Sequence, residues 1–412
     1  MSDVRPFRAL RPRPDLAARV AAPPYDVINS EEARAMAKGN EISFLHINKP
    51  EIDLSPDVNL YDDRVYATGV KNLRSFMAKG VLVREAEPRF YVYQQRMGYH
   101  VQAGVVGAAS CQEYADGLIK RHEFTRKDKE DDRTRHTHEL NANAGPVFLT
   151  YRQRAEIDRI VAGVRKGQPL YDFVAPDGIG HTVWTVPLEQ TSALQKALSA
   201  VPALYVADGH HRAASAARVG LERKASNRHH RGDEPYNYFL AVLFPHDQLC
   251  IMDYNRVVKD LNGIKEDQFL AKVGEKFAVT TTTEPHPAAP HRFGMYLGRT
   301  WYRLKAKAGS FPSEDPVRSL DAAILQENLL SPVLGIADPR TDKRIDFVGG
   351  IRGLGELEKR VREGWAAAFA LFPTSLDQLM SVADAGLVMP PKSTWFEPKL
   401  RSGLLVRTLD TW

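Results

Sequence analysis

The sequence predicts an α/β protein with a mixed sheet, and three observations lead to that class. Short apolar runs with the composition of buried strands alternate along the chain with segments of helical spacing. Two of the runs, residues 89–95 and 100–108, flank a short segment containing Gly98 and predict a hairpin, which requires antiparallel pairing. A third run, residues 203–206, leads through a glycine turn into an alanine-rich segment, as expected where a strand feeds a helix.

The remaining elements follow from the same two patterns. Residues 42–48 alternate ahead of Pro50 and predict a strand, whereas the charge run at 127–133 predicts the solvated face of a helix. Further strands are predicted at residues 146–151, 180–187, 237–244, 249–252, 279–283, 293–297, 300–304, 345–348 and 366–372. Further helices are predicted at residues 30–38, 57–79, 157–166, 190–200, 266–277, 321–330, 355–363 and 375–385.

The composition is that of a globular protein with nearly balanced charge. Hydrophobic residues make up 43% of the chain and charged residues 26%, which is typical of globular proteins. The length of 412 residues predicts two or three domains. No apolar run is long enough to span a bilayer, which predicts a cytoplasmic protein without a membrane partner. Cys111 and Cys250 lie far apart and fit no zinc spacing. Because 56 basic residues stand against 51 acidic ones without an interleaved basic and aromatic stripe, nucleic acid is not the expected partner.

The turn after residues 203–206 is the first candidate site. It contains, in order, Asp208, Gly209, His210, His211 and Arg212. Gly209 permits backbone angles that a side chain forbids, and the start of the following helix offers N–H groups and a positive dipole end to a phosphate. Arg212 and the two histidines add donors, whereas Asp208 suits Mg²⁺ or a substrate hydroxyl or amine. The alternative is a structural turn with histidines on the surface.

A second candidate group consists of Arg121, His122 and Glu123. It directly follows an apolar stretch and is therefore expected at a strand end, where functional sites are often built. Arg121 and His122 could contact phosphate, and Glu123 could act as a general base on a hydroxyl if the geometry allows. The two later histidines of this region, His136 and His138, diverge on a helix and make a poor metal pair.

Two proline-rich stretches complete the set of unusual segments. In residues 389–399, paired prolines rigidify the chain ahead of three donors, Lys392, Ser393 and Thr394, which predicts a phosphate contact or a closing segment. The alternative there is docking of the aromatic residues 395–396 onto the core. In residues 22–27, two prolines precede Tyr25 and Asp26, and a strand entry with a packed tyrosine is at least as well supported as a site role.

The motif at residues 207–212, Ala-Asp-Gly-His-His-Arg, resembles a widespread prokaryotic family of unknown function. Residues 22–27, 121–123 and 389–394 are similar to the same family, so the resemblance extends over nearly the whole chain. A looser resemblance links the turn to the ParB/sulfiredoxin-like superfamily, and within it to the free-serine kinases. In those kinases a His-Glu pair precedes the turn, and its glutamate activates the serine hydroxyl. The two motifs are farther apart in this sequence than the compact kinases imply.

The looser resemblance implies a fold and a set of roles. A ParB/sulfiredoxin-like nucleotide-binding core is expected at residues 106–255, between an N-terminal α/β extension at 1–105 and a C-terminal α/β part at 256–412. His122 and Glu123 correspond to the catalytic pair, with Glu123 as the base. The nucleotide phosphates are expected at the turn and at Arg121, with Mg²⁺ at Asp208. The turn residues concerned are Asp208, Gly209, His210, His211 and Arg212.

These features predict an ATP- or ADP-dependent kinase of a small hydroxylated metabolite, with free L-serine, giving O-phosphoserine, as the first candidate acceptor. Its predicted partners are the nucleotide and the small molecule, and the sequence leaves the oligomeric state open. One alternative is a nucleotide-binding regulatory or DNA-associated switch of the ParB type, which needs a DNA-reading basic face that the sequence does not display. Another is a metal-dependent hydrolase using Asp208, His210 and His211, although adjacent histidines in a turn rarely reach one metal.

Overall fold

The computed structural model describes residues 2–410 and divides them into two compact units. The first unit holds the described residues up to Arg121, Thr125–Leu249, and those from Pro398 onward. The second unit holds His122–Phe124 and Cys250–Glu397. The boundaries predicted after residues 105 and 255 fall inside strands His100–Ser110 and Tyr254–Val258, so these compact units do not coincide with the three predicted parts.

The chain alternates between strands and helices along its length. The strands are β1 (Val4–Arg5), β2 (Leu10–Pro12), β3 (Leu82–Arg84), β4 (Tyr91–Met97), β5 (His100–Ser110), β6 (Ile119–Lys120), β7 (Ala142–Asn143), β8 (Val147–Tyr151), β9 (Tyr171–Val174), β10 (Gly180–Thr185), β11 (Leu204–Asp208), β12 (Tyr238–Pro245), β13 (Cys250–Met252), β14 (Tyr254–Val258), β15 (Phe277–Thr281), β16 (Arg292–Leu297), β17 (Thr300–Ala306), β18 (Ile345–Gly349), β19 (Ala367–Leu371), β20 (Trp395–Glu397) and β21 (Arg407–Thr408). The α-helices are α1 (Ala17–Val20), α2 (Ser30–Ala37), α3 (Leu45–Asn48), α4 (Asp63–Ala78), α5 (Cys111–Ala115), α6 (Lys127–Leu140), α7 (Ala155–Val164), α8 (Leu188–Ser199), α9 (His210–Ser226), α10 (Glu266–Lys276), α11 (Asp321–Leu325), α12 (Leu354–Arg362) and α13 (Leu376–Asp384).

A nine-stranded mixed sheet organises the first unit. Its order is β6-β11-β8-β12-β5-β4-β10-β9, with β1 added to β5. The β6–β11 and β12–β8 pairs are parallel, whereas β11–β8 and β12–β5 are antiparallel. The central strands are buried along their whole length, which explains why they read as continuous apolar runs in the sequence. The predicted α/β class with a mixed sheet is therefore confirmed.

Helix α9 packs closely against the first unit because its inward face carries small residues. Ala213, Ala217 and Gly220 are buried along it. A Cβ atom at Gly220 would lie 2.4 Å from the carbonyl oxygen of Tyr236 and 2.9 Å from the sulfur of Cys111, so only glycine fits there. This close approach anchors α9 within the first unit.

The second unit is built on a six-stranded antiparallel sheet. Its order is β15-β17-β16-β19-β14-β18, and β13 pairs separately with β20. The core of this unit includes Phe269, Phe293 and Phe369, each fully buried. A π-helical turn, Gln326–Leu330, continues α11.

Two findings qualify the sequence-based expectations. The strand predicted at residues 42–48 is wrong, because this stretch forms turns and the short helix α3. Ser43 Oγ accepts the backbone N–H of Leu45, and the apolar residues Phe44, Leu45 and Ile47 are all buried by helical turns. Over residues 2–410, none of the helices combines the length and apolarity that crossing a bilayer requires.

Candidate functional site

The predicted strand–turn–helix is present in the first unit. Strand β11 ends at Asp208 and α9 begins at His210, with Gly209 between them at φ +90°. The register of β11 against β8 shifts between Val206 and Asp208, directly before the turn. Since β6 and β11 are parallel neighbours, Arg121 and the turn leave the sheet at the same edge.

Asp208 is held by two cations of the first unit. Arg212 Nη2 donates to Asp208 Oδ2 at 2.8 Å, and Lys399 Nζ donates to Asp208 Oδ1 at 2.9 Å. Burial alone would raise the pKa of Asp208, but Lys399 and Arg212 outweigh it and hold that pKa well below its usual range. Asp208 is therefore ionised at neutral pH, and both of its oxygens are already engaged.

Arg212 is a buried member of the same cluster. Its side chain is 8% exposed, its Nη1 donates to the carbonyl oxygen of Pro146, and Asp26 Oδ2 lies 3.7 Å from its Nη2. Burial works to lower the pKa of Arg212, but Asp26 and Asp208 outweigh it and raise the pKa. The chain itself thus neutralises this guanidinium, which stabilises the turn and draws Asp26 into the site.

A small cavity of about 30 Å³ lies beside Arg212, with room for about one water molecule. Tyr25, Arg133 and His136 also line it. The Arg133 guanidinium carbon lies 4.1 Å from the centre of the Tyr25 ring, and its Nη2 pairs with Asp132 Oδ2 at 2.7 Å. Burial, reinforced by Arg133, lowers the pKa of His136 to about 3, so this histidine is neutral at physiological pH.

The two histidines of the turn differ in exposure and partners. His210 is buried, with 7% of its surface exposed. His211 is partly exposed, and its Nε2 accepts the backbone N–H of Arg126 at 3.0 Å. That bond fixes the start of α6 and occupies the lone pair that a metal would need. The hydrolase alternative therefore loses a ligand atom at His211 as well as the two engaged oxygens of Asp208.

Arg121 is exposed at the end of β6. Its guanidinium carbon lies 5.0 Å from the centre of the Tyr114 ring. This stacking orients the side chain without neutralising its charge. Arg121 therefore presents its guanidinium group at the sheet edge from which the turn also emerges.

The His-Glu pair and the tail motif meet in the second unit. His122 is buried, its Nε2 lies 3.2 Å from Thr394 Oγ1, and its carbonyl oxygen accepts the N–H of Met389 at 2.8 Å. Glu123 is partly exposed. Two of the groups noticed separately in the sequence are thus one structural cluster.

The tail donors are held in a defined conformation. Lys392 has φ +60°, and its Nζ lies 5.8 Å from the centre of the Tyr254 ring. Ser393 Oγ donates to the carbonyl oxygen of Pro390 at 2.7 Å. Phe396 is fully buried in strand β20, while the indole N–H of Trp395 donates to Glu397 Oε1 at 2.8 Å.

Sequence reasoning did not assign Asp26, Arg133 or Lys399 to the site. Arg133 stood within a charge run and was expected on a solvated helix face, yet its side chain is only 14% exposed. Lys399 lies 191 residues from its partner Asp208, a separation that no local pattern reports. Only Asp26 carried a signal, because it follows the paired prolines that also marked Tyr25.

A family model described as "protein of unknown function (DUF1015)" matches residues 4–323, well over half of the chain. The chain belongs to the DUF1015 family. The family resemblance that the turn motif carries is thereby confirmed. A search among curated proteins found no match for this DUF1015 chain.

Three solved structures that are similar to this DUF1015 chain are distant from it in sequence. A mutant free serine kinase in complex with AMP shares 13% identity at a TM-score of 0.36, over 73% of this chain and 92% of that one. SbnI with a C-terminal truncation, from Staphylococcus aureus, shares 12% identity at a TM-score of 0.40, over 74% and 87%. A conserved hypothetical protein from Pyrococcus furiosus shares 13% identity at a TM-score of 0.35, over 74% and 95%.

Proposed function

We propose that this protein is a phosphotransferase that moves a phosphoryl group from ATP or ADP to a small hydroxylated metabolite, with free L-serine as the first acceptor to test. The observation that carries the proposal is the start of α9. Gly209, at positive φ, brings the backbone of a 17-residue helix to the edge of the sheet without a side chain of its own in the way. Such a helix start favours phosphate.

The charges around the turn support a phosphate there. Arg121 supplies a cation at the same sheet edge, and His210 and His211 stand at the first two positions of the helix. Arg212 and Lys399 act differently, because they hold Asp208 and so fix the turn. We assign phosphate contacts to the backbone of the first helical turn and to Arg121, and a positioning role to Arg212 and Lys399.

Glu123 and His122 are assigned to the acceptor. In the proposed step the hydroxyl oxygen of the acceptor forms a bond to the terminal phosphorus of the nucleotide. The bond from that phosphorus to the bridging oxygen breaks, so that ATP leaves as ADP or ADP as AMP. The hydroxyl proton passes to the Glu123 carboxylate. His122, which lies against Thr394, positions the segment that carries Glu123.

Binding of Mg²⁺ at Asp208 remains a prediction, and it would disturb hydrogen bonds that the structure already contains. A metal there would have to share or displace the hydrogen bonds from Lys399 and Arg212, and these two cations would repel it. Mg²⁺ in nucleotide sites is often carried largely by the phosphates themselves. We therefore assign no step to a protein-held metal and include Mg²⁺ in assays as the partner of the nucleotide.

A phosphorus NMR time course tests the proposal. The protein is incubated with Mg²⁺, L-serine and either ATP or ADP, and the spectrum is followed for a new phosphomonoester signal. Glu123→Gln should lower the rate of product formation at least about 100-fold, because it removes the base while preserving shape. Arg121→Gln should raise the nucleotide KM about tenfold, because one charge-assisted contact is lost.

A matched control is Arg165→Gln, since Arg165 is exposed at the end of α7. It should leave both kinetic constants unchanged. Product formation that is insensitive to Glu123→Gln would refute the assignment of the base. The absence of nucleotide binding would refute the proposal as a whole. Nucleotide binding together with salt-sensitive DNA binding, and no product with any acceptor, would favour the alternative regulatory or DNA-associated switch.

A further inference from the structure

A second cavity in the first unit is lined by arginines that lie outside the turn, the His-Glu pair and the tail motif. It has a volume of about 410 Å³, and its charged lining residues are Arg5, Arg8, Arg84, Arg407, Asp233 and Asp410. Arg5 is paired with Asp3 at 3.0 Å. We call this cavity the arginine groove. Small-molecule sites commonly have volumes of about 300–1,000 Å³, so the groove is large enough for a metabolite.

Arg407 is the most deeply buried of these cations. Its residue surface is 5% exposed, and its two terminal nitrogens donate to the carbonyl oxygens of Tyr238 and Pro235. Among residues 2–410, its Nε has no hydrogen-bond partner and no carboxylate pairs with it. Burial lowers the pKa of Arg407 to about 10. The charge is therefore desolvated without being neutralised by the part of the chain that the structure describes.

Arg84 and Arg8 add two further positive charges. Arg84 Nη1 donates to Thr408 Oγ1 at 3.1 Å, whereas its Nη2 is buried and has no partner within the described chain. Burial, and then the neighbouring Arg8, lower the pKa of Arg84. Repulsion between two cations at one cavity is unfavourable unless an anion joins them.

The carboxylates at the groove are committed to other cations. Asp410 accepts a hydrogen bond from Asn141 and pairs with Arg223 Nη1 at 3.3 Å. Asp233 lies 3.8 Å from Arg231 Nε. Neither aspartate forms an ion pair with Arg8, Arg84 or Arg407 in the described residues, so the groove keeps its excess of positive charge.

We propose that the arginine groove binds a small phosphate monoester. A phosphate monoester carries close to two negative charges at neutral pH, which matches a set of two or three cations better than a single carboxylate does. The exposed guanidinium of Arg8 can donate paired N–H bonds to phosphate, while Arg84 and Arg407 contribute positive charge from the wall of the groove. Phe7 and Tyr238 offer apolar surface to the organic part of such a ligand. The inference does not depend on the proposed kinase activity, because the groove shares no residue with the turn.

Isothermal titration calorimetry of the full chain tests this assignment. The probes are inorganic phosphate, O-phosphoserine, acetate and a single-stranded 12-mer of DNA. Phosphate and O-phosphoserine should bind saturably and acetate should not. Arg8→Gln, at an exposed position, should weaken phosphate binding about tenfold. Arg84→Gln should do the same, and Arg165→Gln, which removes an equal charge elsewhere, should have no effect.

Each other outcome overturns the assignment in a recognisable way. If Arg121→Gln weakens phosphate binding while Arg8→Gln and Arg84→Gln leave it unchanged, phosphate binds at the turn and the groove proposal is wrong. If Arg165→Gln weakens binding as much as Arg8→Gln, the attraction is only net charge. If the DNA binds tighter than O-phosphoserine and loses affinity in Arg8→Gln, the groove serves nucleic acid instead. If no probe binds, the groove is not an anion site.

Discussion

Arg212 and Arg407 are two arginines of the first unit that are almost equally buried, yet the chain treats their charges differently. Arg212 has Asp208 at 2.8 Å and Asp26 at 3.7 Å, and these carboxylates raise its pKa. Arg407 has only the carbonyl oxygens of Tyr238 and Pro235 as acceptors among the described residues, and burial lowers its pKa. A buried cation with a carboxylate is part of the framework, whereas one without is available to an external anion.

This difference bears on the catalytic proposal as well. The arginine in the turn motif invites assignment as a phosphate clamp, but both of its terminal nitrogens already donate to acceptors within the chain. The start of α9 and the exposed Arg121 are better placed to meet a phosphate. The motif arginine instead fixes the turn that presents them.

The largest expected effect comes from removing the compensated arginine. Arg212→Met should lower the free energy of unfolding by about 3 kcal/mol, because Asp208 and Asp26 lose a buried partner. Arg407→Met should lower the free energy of unfolding by only about 1 kcal/mol. The loss of two hydrogen bonds to carbonyl oxygens is partly offset because a desolvated charge is removed. Denaturant unfolding at pH 7, followed by circular dichroism, measures both. Equal losses would show that the carboxylates do not set the two arginines apart.

A smaller effect is expected from the glycine that forms the turn. In Gly209→Ala the new Cβ would lie 2.9 Å from the guanidinium carbon of Arg212, in addition to the strain of φ +90°. Gly39→Ala is the matched control, since Gly39 has φ +75° and no atom within 4 Å of the position that a Cβ would take. We expect a loss of about 1 kcal/mol at Gly39 and about 2–3 kcal/mol at Gly209. The difference between the two losses measures how tightly Arg212 is held against the turn. Equal losses would mean that the Arg212 side chain moves aside without cost.

The strand–turn–helix could be predicted from sequence because all of its signals are local. Buried strand composition, a glycine and an alanine-rich helix follow one another directly along the chain, and the structure places β11 and α9 accordingly. The hairpin of β4 and β5 was equally accessible. The stretch at residues 42–48 failed because an apolar alternation that short is also compatible with helical turns.

The composition of the site could not be predicted in the same way. Lys399 and Asp26 reach Asp208 and Arg212 through tertiary packing, which periodicity and spacing do not encode. Arg133 illustrates the same limit, because its neighbours Lys127 and Asp131 form the exposed ion pair that a charge run predicts. The groove arginines carried no signal at all, since uncompensated charge is visible only once the surrounding carboxylates have been located.

The pH dependence of stability tests the charged surroundings of Arg212. His136 lines the same cavity, and its folded pKa of about 3 lies below the ordinary value of 6.5. The unfolded chain therefore takes up a proton first as the pH falls. The contribution of His136 to stability should be constant above about pH 6.5 and should decline towards pH 3 by about 1.4 kcal/mol per pH unit.

The matched variant is His136→Gln, whose amide can still donate to the carbonyl oxygen of Ile47. This substitution should reduce the decline of the free energy of unfolding below about pH 6.5 by the contribution of one histidine, about 1.4 kcal/mol per pH unit. A second contribution should remain, because burial also lowers the pKa of His181 to about 3. If the acid slope of stability is unchanged in His136→Gln, His136 can be protonated in the folded protein. The cavity would then accommodate a third positive charge beside those of Arg133 and Arg212.

The smallest effect should come from the distant lysine. Lys399→Met should cost about 1 kcal/mol at pH 7, because Asp208 keeps Arg212 while losing one of its two cations. Asp208 has a lowered folded pKa, so the stability it contributes is present above its ordinary pKa and is lost as the pH falls through the folded value. The difference between Lys399→Met and the native chain should therefore shrink in strong acid. Lys392→Met, whose ammonium lies near a ring and not near Asp208, should show no such pH dependence. If Lys399→Met and Lys392→Met show the same pH dependence of stability, Arg212 alone keeps Asp208 ionised. The difference between Arg212 and Arg407 would then rest on the Arg212–Asp208 ion pair alone.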